Sequence, residues 1–215
     1  MAATFPNKTI FSIYTTLASA KNVTAISNNN PGVATSTAHG YTNGGILLLS
    51  MPSLLDQRVV RVANQATNTF ELEGVDTTST TRYPTGFGVG TAQLATVPVP
   101  INQVTDSQTS GGEQQFYQWV YLEDGRQRQR PTFKNARALQ LTLDWDPTLA
   151  WHNALLNADQ DGGVFVLQAA LPNSNKLFYS VYVGFDGEPT FTINENMKTT
   201  ATFSLACPLS TRYAT

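Results

Sequence analysis

Arg137-Ala-Leu-Gln-Leu-Thr-Leu143, followed at once by Asp144-Trp-Asp-Pro147, is the stretch on which the reading of the fold turns. Leu139, Leu141 and Leu143 share one face of an extended chain and Ala138, Gln140 and Thr142 the other, the period-2 pattern of a half-buried strand. Asp146 can cap the unpaired N–H groups at a helix start. Pro147 suits the first helical position, where its missing N–H leaves nothing unmade. Trp151, Leu155 and Ala158, with Ala154 beside them, then form an apolar stripe at helical spacing. Gly162 and Gly163 follow, and a left-handed glycine there ends the helix. One amphipathic helix over about residues 147–160 therefore lies between strands and is expected to pack across a sheet.

Outward from this stretch the pattern is β. Residues 10–17 read as a first strand. Residues 116–122 carry large side chains on both faces, and so do residues 164–171 and 177–183. A sandwich core covers only one face of each sheet, so such strands call for a second contact, with the helix or with a neighbouring subunit. Leu171-Pro-Asn-Ser-Asn-Lys176 reads as a hairpin turn, and residues 197–207 alternate cleanly to Cys207. Val97-Pro-Val-Pro-Ile101 is expected to be a stiff extended return connection, and residues 106–112 a flexible polar loop.

Composition narrows the class. Of 215 residues, 41% are hydrophobic and only 13% charged, against roughly a quarter charged in an ordinary soluble domain. A polar, uncharged surface suits a β-protein in contact with copies of itself, and equally a low-charge β-domain without that habit. The net charge of −2 supplies no electrostatic footprint for tight nucleic-acid binding. The single cysteine, Cys207, excludes an internal disulfide framework and points to synthesis in a reducing compartment. Residues 1–20 lack the basic start and unbroken apolar core of a signal peptide, and no run approaches a membrane span. A soluble protein made in a cytoplasm is expected.

Residues 23–96 have a different texture, rich in Thr, Asn and Gly, with Arg58, Arg61 and Arg82 the basic residues past Lys21. Short β-like runs at 33–37, 46–50, 58–63 and 69–74 are separated by turns such as Asn30-Pro31-Gly32 and Asn43-Gly44-Gly45. This describes an all-β module of about five short strands. Val23-Thr-Ala-Ile-Ser27, Pro31-Gly-Val-Ala-Thr-Ser-Thr-Ala-His-Gly40, Arg61-Val-Ala-Asn64 and Asn68-Thr-Phe-Glu-Leu-Glu-Gly-Val-Asp76 resemble the FCCH-like module. That module was first named from ubiquitin-activating enzymes and recurs in bacteriophage structural proteins. The likeness implies no ubiquitin chemistry, because the module itself carries no catalytic cysteine.

The residues that carry chemistry elsewhere find simpler roles here. His39 and His152 have no second histidine or cysteine at ligand spacing, whereas a zinc site needs three or four clustered ligands. No third partner completes a hydrolytic triad. Cys207 lies on an apolar strand face and reads as a buried small hydrophobe rather than a nucleophile. Asn157, Asp159, Asp161 and Gly162 fall at the opening positions of a calcium loop, but the glutamate that closes such a loop is replaced by Gln168. Asp144 and Asp146 could pass for an acid/base pair, yet Asp146 is accounted for at the helix start. Gly86-Phe-Gly-Val-Gly90 lacks the helix a phosphate loop needs and reads as loop or bulge glycines. No catalytic, metal or cofactor site is expected.

One cluster stands out: Arg126, Arg128, Arg130, Lys134 and Arg137 hold five of the 13 lysines and arginines. DNA binding would want interleaved aromatics, and Phe133 alone is present among them. The alternating Arg-Gln-Arg-Gln-Arg reads as a solvent-facing loop arm with Glu123, Asp124 or acidic groups of a neighbouring copy as partners. Arg126, Arg128, Arg130, Phe133, Lys134 and Arg137 are accordingly the subunit-interface candidates.

The second half of the chain carries a more specific likeness. Leu122-Glu-Asp-Gly125, Pro131-Thr-Phe-Lys-Asn-Ala-Arg137, Leu143-Asp-Trp-Asp-Pro147 with its helix, Ala170-Leu-Pro172, Phe178-Tyr-Ser-Val-Tyr-Val183, Ala201-Thr-Phe-Ser-Leu205 and Thr211-Arg-Tyr213 follow one another in order. Together they resemble the major tail tube protein of long-tailed bacteriophages, over about half the chain. The resemblance implies a mainly-β protomer, a β-sandwich or barrel with one flanking helix. It implies six copies closing an inner β-barrel ring, rings stacking into a tube, and a lumen through which DNA and the tape-measure protein pass without specific binding. Other tail proteins are further partners, and the virion tail is the expected location, with synthesis in the host bacterial cytoplasm. The expected organisation is a core from residues 1–22 and 97–215 interrupted by the module at 23–96. The alternatives are another tail component on the same fold, in the baseplate or at tail completion, and a carbohydrate- or surface-binding β-module. The latter would expose the aromatics Tyr41, Phe70, Tyr83 and Phe87. Nothing points to an enzyme.

Overall fold

A computed structural model of the chain describes residues 7–214. The first six residues of the leader reading, and the ends of the core expected from 1–22 and 97–215, therefore lie outside the described residues. β1 (Ile10–Leu17) is followed by six short strands: β2 (Lys21–Val23), β3 (Ala25–Ile26), β4 (Val33–Thr35), β5 (Ile46–Ser50), β6 (Val59–Ala63) and β7 (Thr69–Leu72). The long β8 (Gly90–Ile101) comes next, then β9 (Val104–Ser110), β10 (Gln114–Val120), β11 (Gln127–Lys134) and β12 (Ala138–Asp144). Helix α1 (Ala150–Asp161) precedes β13 (Phe165–Ala170), β14 (Asn175–Gly184), β15 (Lys198–Leu205) and β16 (Thr211–Ala214). The protein is mainly β with one helix.

Seven antiparallel strands in the order β8-β1-β13-β14-β15-β12-β9, with β16 paired to β14, make the main sheet, and the first half of β8 continues it into β5. Alternate residues supply its inner face: Ile13, Leu167, Val181, Phe203 and Leu141 are buried and meet Trp151, Leu155 and Ala158 of the helix. Burying each such side chain contributes about 1.5–3 kcal/mol. β8 and β9 lie at opposite edges of this sheet, yet only Asn102 and Gln103 join them. So short a link reaches roughly 10 Å, so the sheet must curl until its edges approach. Ile101 and Val104, on either side of the link, both pack into the helix-lined core. The result is an open barrel with α1 across its interior.

The short strands build a second core around Leu47, Leu49, Val60, Val62, Phe70 and Leu72. Tyr41, Phe70, Tyr83 and Phe87 are all buried in it rather than displayed. β5 is buried on both faces because it separates two layers. Leu47 and Leu49 point into this second core, while Ile46 and Leu48 meet Val166, Phe178 and Tyr213 of the main sheet. That contact is the second cover demanded by the doubly apolar β13 and β14.

Four expectations are corrected. The helix begins at Ala150 rather than Pro147, and its N-cap is the extended Leu149, with no side-chain cap. The Asp146 carboxylate is taken by an Asx turn instead, accepting from the Thr148 N–H (3.0 Å) and hydroxyl (2.6 Å), which hold it below the usual carboxylate range. The far end is as read: Gly162 is left-handed, at φ 60°, and its N–H reaches the Ala158 and Asp159 carbonyls. Residues 97–101 are not a connection but the end of β8, pairing Pro98 with Tyr14 and Pro100 with Ser12. Prolines survive there because, among the described residues, this half of β8 pairs with β1 alone and is an edge strand.

The expected polar loop at 106–112 is for the most part β9, an edge strand whose main chain pairs with β12. Its exposed Ser, Thr and Gln side chains give no period-2 signal, since neither face is covered. Gly111 and Gly112 remain as the turn, at φ 77° and 86°. The basic segment, finally, is solvent-facing but no loop: Gln127–Lys134 is strand β11, paired with β10.

Candidate assembly interface

β10 and β11 form a two-stranded arm that leaves the main sheet where β12 begins. Its foot is tied by the Gly112 N–H to the Asn135 carbonyl (3.2 Å) and the Asn135 N–H to the Glu113 carbonyl (3.0 Å). A Cβ on Gly111 would collide with the Ala136 carbonyl, so the close crossing of the two legs requires glycine. The register is Tyr117 opposite Arg130, Gln118 opposite Gln129, Trp119 opposite Arg128 and Val120 opposite Gln127. Cross-strand partners share a face. One face thus carries Tyr117 and Trp119, stacked with centroids 5.7 Å apart, beside Arg128 and Arg130. The other carries Phe116 and Val120 with Gln118, Gln127, Gln129 and Pro131.

The tip closes through the Gly125 N–H to the Tyr121 carbonyl (3.1 Å). Asp124 pairs with Arg128, whose guanidinium lies 4.8 Å from the centre of the Tyr121 ring. Leu122 is fully exposed and Phe133 is 66% exposed. A two-stranded ribbon with no core beneath either face is marginal in water. The apolar side chains on both faces are the kind of surface that marks a protein contact.

Five of the six interface candidates, Arg126, Arg128, Arg130, Phe133 and Lys134, are brought together on this arm. Arg137 stands at its foot, where its carbonyl accepts the Leu205 N–H (2.9 Å). Among the described residues, Arg128 alone of the five cations forms an ion pair.

A second exposed apolar feature is not among the residues singled out from the sequence. Residues 185–197 join β14 to β15 and are stapled at both ends. Phe185 is buried against Trp151 and His152, and its N–H donates to Asp159 (3.2 Å). The Gly187 carbonyl accepts from the Trp145 indole N–H (2.9 Å), and the Thr190 N–H donates to the Lys198 carbonyl (2.7 Å). Between these staples Phe191 and Ile193 are 80% and 89% exposed, flanked by Asp186, Glu188 and Glu195. The Thr-Phe-Thr-Ile alternation of residues 190–193 was the available signal.

The other singled-out residues are structural. His39 Nδ1 accepts the Tyr41 N–H (2.9 Å) and its Nε2 meets the Ala66 carbonyl (2.9 Å). His152 is buried among Trp145, Trp151 and Phe185, and Cys207 is buried. Gly88 and Gly90 abut Ile26 and Met51, where side chains would not fit. No helix of the described residues is long and apolar enough to cross a membrane.

Residues 50–215 match the profile of the phage tail tube protein family. The chain belongs to that family. The family is one of structural virion proteins rather than of enzymes, and membership makes this protein a component of the phage tail. The match opens in β5, so it takes in β6 and β7 as well as everything from β8 onwards. No curated protein matches the chain. Among solved structures, a chain of the "Virion of native gene transfer agent (GTA) particle" is similar at 11% identity and a TM-score of 0.38. That alignment covers 53% of this chain and 87% of the other.

Proposed function

We propose that this tail tube protein assembles with copies of itself into hexameric rings that stack into the tail tube, the conduit for DNA delivery into the host cell. The arm carries this reading. It is rooted in a rigid sheet, it presents aromatic and aliphatic side chains on both faces, and its own chain covers neither. Arg126, Arg128, Arg130, Phe133, Lys134 and Arg137 then act at the contact between copies. In this reading the edge strand β9 joins a neighbour's sheet and removes an exposed edge.

The core comprises residues 1–22 and 97–215, and residues 23–96 form an FCCH-like module set into it. The separate hydrophobic core of the module supports that division. DNA and the tape-measure protein pass through the lumen without specific binding, consistent with a net charge of −2. The subunit is made in the host cytoplasm and performs no catalysis.

Negative-stain electron microscopy of the purified chain, with light scattering over a concentration series, tests the reading. Rings or tubes with a central channel are expected. A strict monomer at every concentration, including in the presence of preformed tail-tip complexes, would overturn it.

A further inference from the structure

The arm and the acidic loop lie at opposite ends of the same strands. β12 starts at Ala138, beside the arm's foot, and ends at Asp144, which pairs with Lys198 where loop 185–197 returns to the sheet. Seven residues of strand put roughly 20 Å between them. The two ends are also opposite in charge. From residue 111 to 137 there are five cations and three carboxylates, one of which is already paired with Arg128. From residue 185 to 198 there are three carboxylates and one cation, Lys198, which is already paired with Glu195, so Asp186 and Glu188 carry the loop's excess charge. Each end adds apolar side chains: the exposed Tyr117 and half-buried Trp119 on the arm's Arg128–Arg130 face, Phe191 and Ile193 on the loop.

We infer that the arm of one copy docks on the loop 185–197 of a second copy, Arg126, Arg130 and Lys134 facing Asp186 and Glu188 across an apolar centre. The inference rests on the proposed self-assembly and specifies its axial contact. Because the two surfaces differ and sit at opposite ends, the contact is heterologous. A heterologous contact closes into a ring or runs on as an open stack according to the rotation between copies, and with the two surfaces at opposite ends of the strands the inferred outcome is the open stack, of one polarity. Backbone staples on both sides hold the loop as a preformed platform, so little order is lost on docking. Salt screens exposed charges, so the contact weakens at high ionic strength.

Charge reversal in the full chain tests this. One variant carries Arg126→Glu and Arg130→Glu, a second Asp186→Lys and Glu188→Lys, and a third all four changes. All four side chains are exposed, and unchanged circular dichroism melting confirms that the variants fold. Sedimentation should show the concentration for polymerisation raised roughly tenfold or more in each two-site variant. The four-site variant should polymerise near the wild-type concentration, and so should an equal mixture of the two defective variants, since each supplies the other's complement. Wild-type polymers with no rescue in either case, or two-site variants that polymerise normally, would overturn this contact and leave self-assembly standing. A wild-type chain that never polymerises would overturn both.

Discussion

Tyr213 ties the short strands around the second core to the main sheet, and its hydroxyl can be removed without touching either hydrophobic interior. The side chain is 4% exposed, on the C-terminal strand β16. Its oxygen accepts the Arg61 backbone N–H (2.8 Å), in β6, and donates to the Glu73 carbonyl (3.2 Å), just past β7. The ring lies against Phe178 of the main sheet, with the Arg61 guanidinium 4.5 Å from its centre. Tyr213→Phe keeps the ring and leaves a donor and an acceptor without their partner. An unsatisfied buried group costs about 1–3 kcal/mol, so a net loss of about 2 kcal/mol is expected. In a chain of this size that lowers the melting temperature by roughly 4–8 °C.

The same substitution has a pH signature. Burial holds the Tyr213 proton on above the ordinary value of 10.0. The unfolded chain ionises at its ordinary value while the folded chain resists. The hydroxyl's stabilisation is therefore complete below pH 10 and drains away as pH rises through the raised value. Phenylalanine has no proton to lose, so the gap between wild type and Tyr213→Phe should narrow above pH 10. Calorimetry at pH 7 and across pH 9–11 reads both effects. A variant melting within about 1 °C of wild type at pH 7 would refute the assignment of the hydroxyl as the link between β6, β7 and the main sheet.

Two further changes probe the helix and the arm. Leu155 is fully buried between α1 and the curled sheet, and Leu155→Ala should destabilise by about 2–5 kcal/mol, read by chemical denaturation. Gly111→Ala places a Cβ against the Ala136 carbonyl at a φ of 77°, so the arm must shift from its foot. It should leave the melting temperature nearly unchanged, because the arm shares no core, while abolishing polymerisation in the electron microscope.

The two apolar surfaces set different demands on the fold. Where β5 lies on the main sheet, strands greasy on both faces are satisfied within the chain: Val166 and Phe178 meet Ile46 and Leu48. In the arm, Phe116, Val120 and Phe133 are left uncovered. Sequence pattern cannot separate these cases, since both read as strands with large side chains on each face. The tertiary arrangement separates them by showing which faces another part of the chain already occupies.

What the sequence determined by itself is whatever one face of one element records. Leu139, Leu141 and Leu143 report β12, and Trp151, Leu155 and Ala158 report α1, because burial on one side stamps its period on the chain. Gly162 reports the helix end for the same local reason. The cationic run of Arg126, Arg128 and Arg130 was visible as a cluster. Its companion, the loop with Phe191 and Ile193, became visible only once β14 and β15 placed it at the far end of the sheet.

The tertiary structure decided everything that depends on a distant partner. β9 exists because β12 offers its main chain, and backbone hydrogen bonds leave no mark on side-chain sequence. The prolines of β8 are tolerated because, among the described residues, no strand pairs with them on that side. Asp146 turned away from the helix because Thr148, two residues on, competed for its carboxylate. Tyr213 reaches Arg61 across a separation of 152 residues, and no local pattern encodes such a meeting. Local periodicity measures what a residue's own element buries. Only the folded chain determines which element buries it.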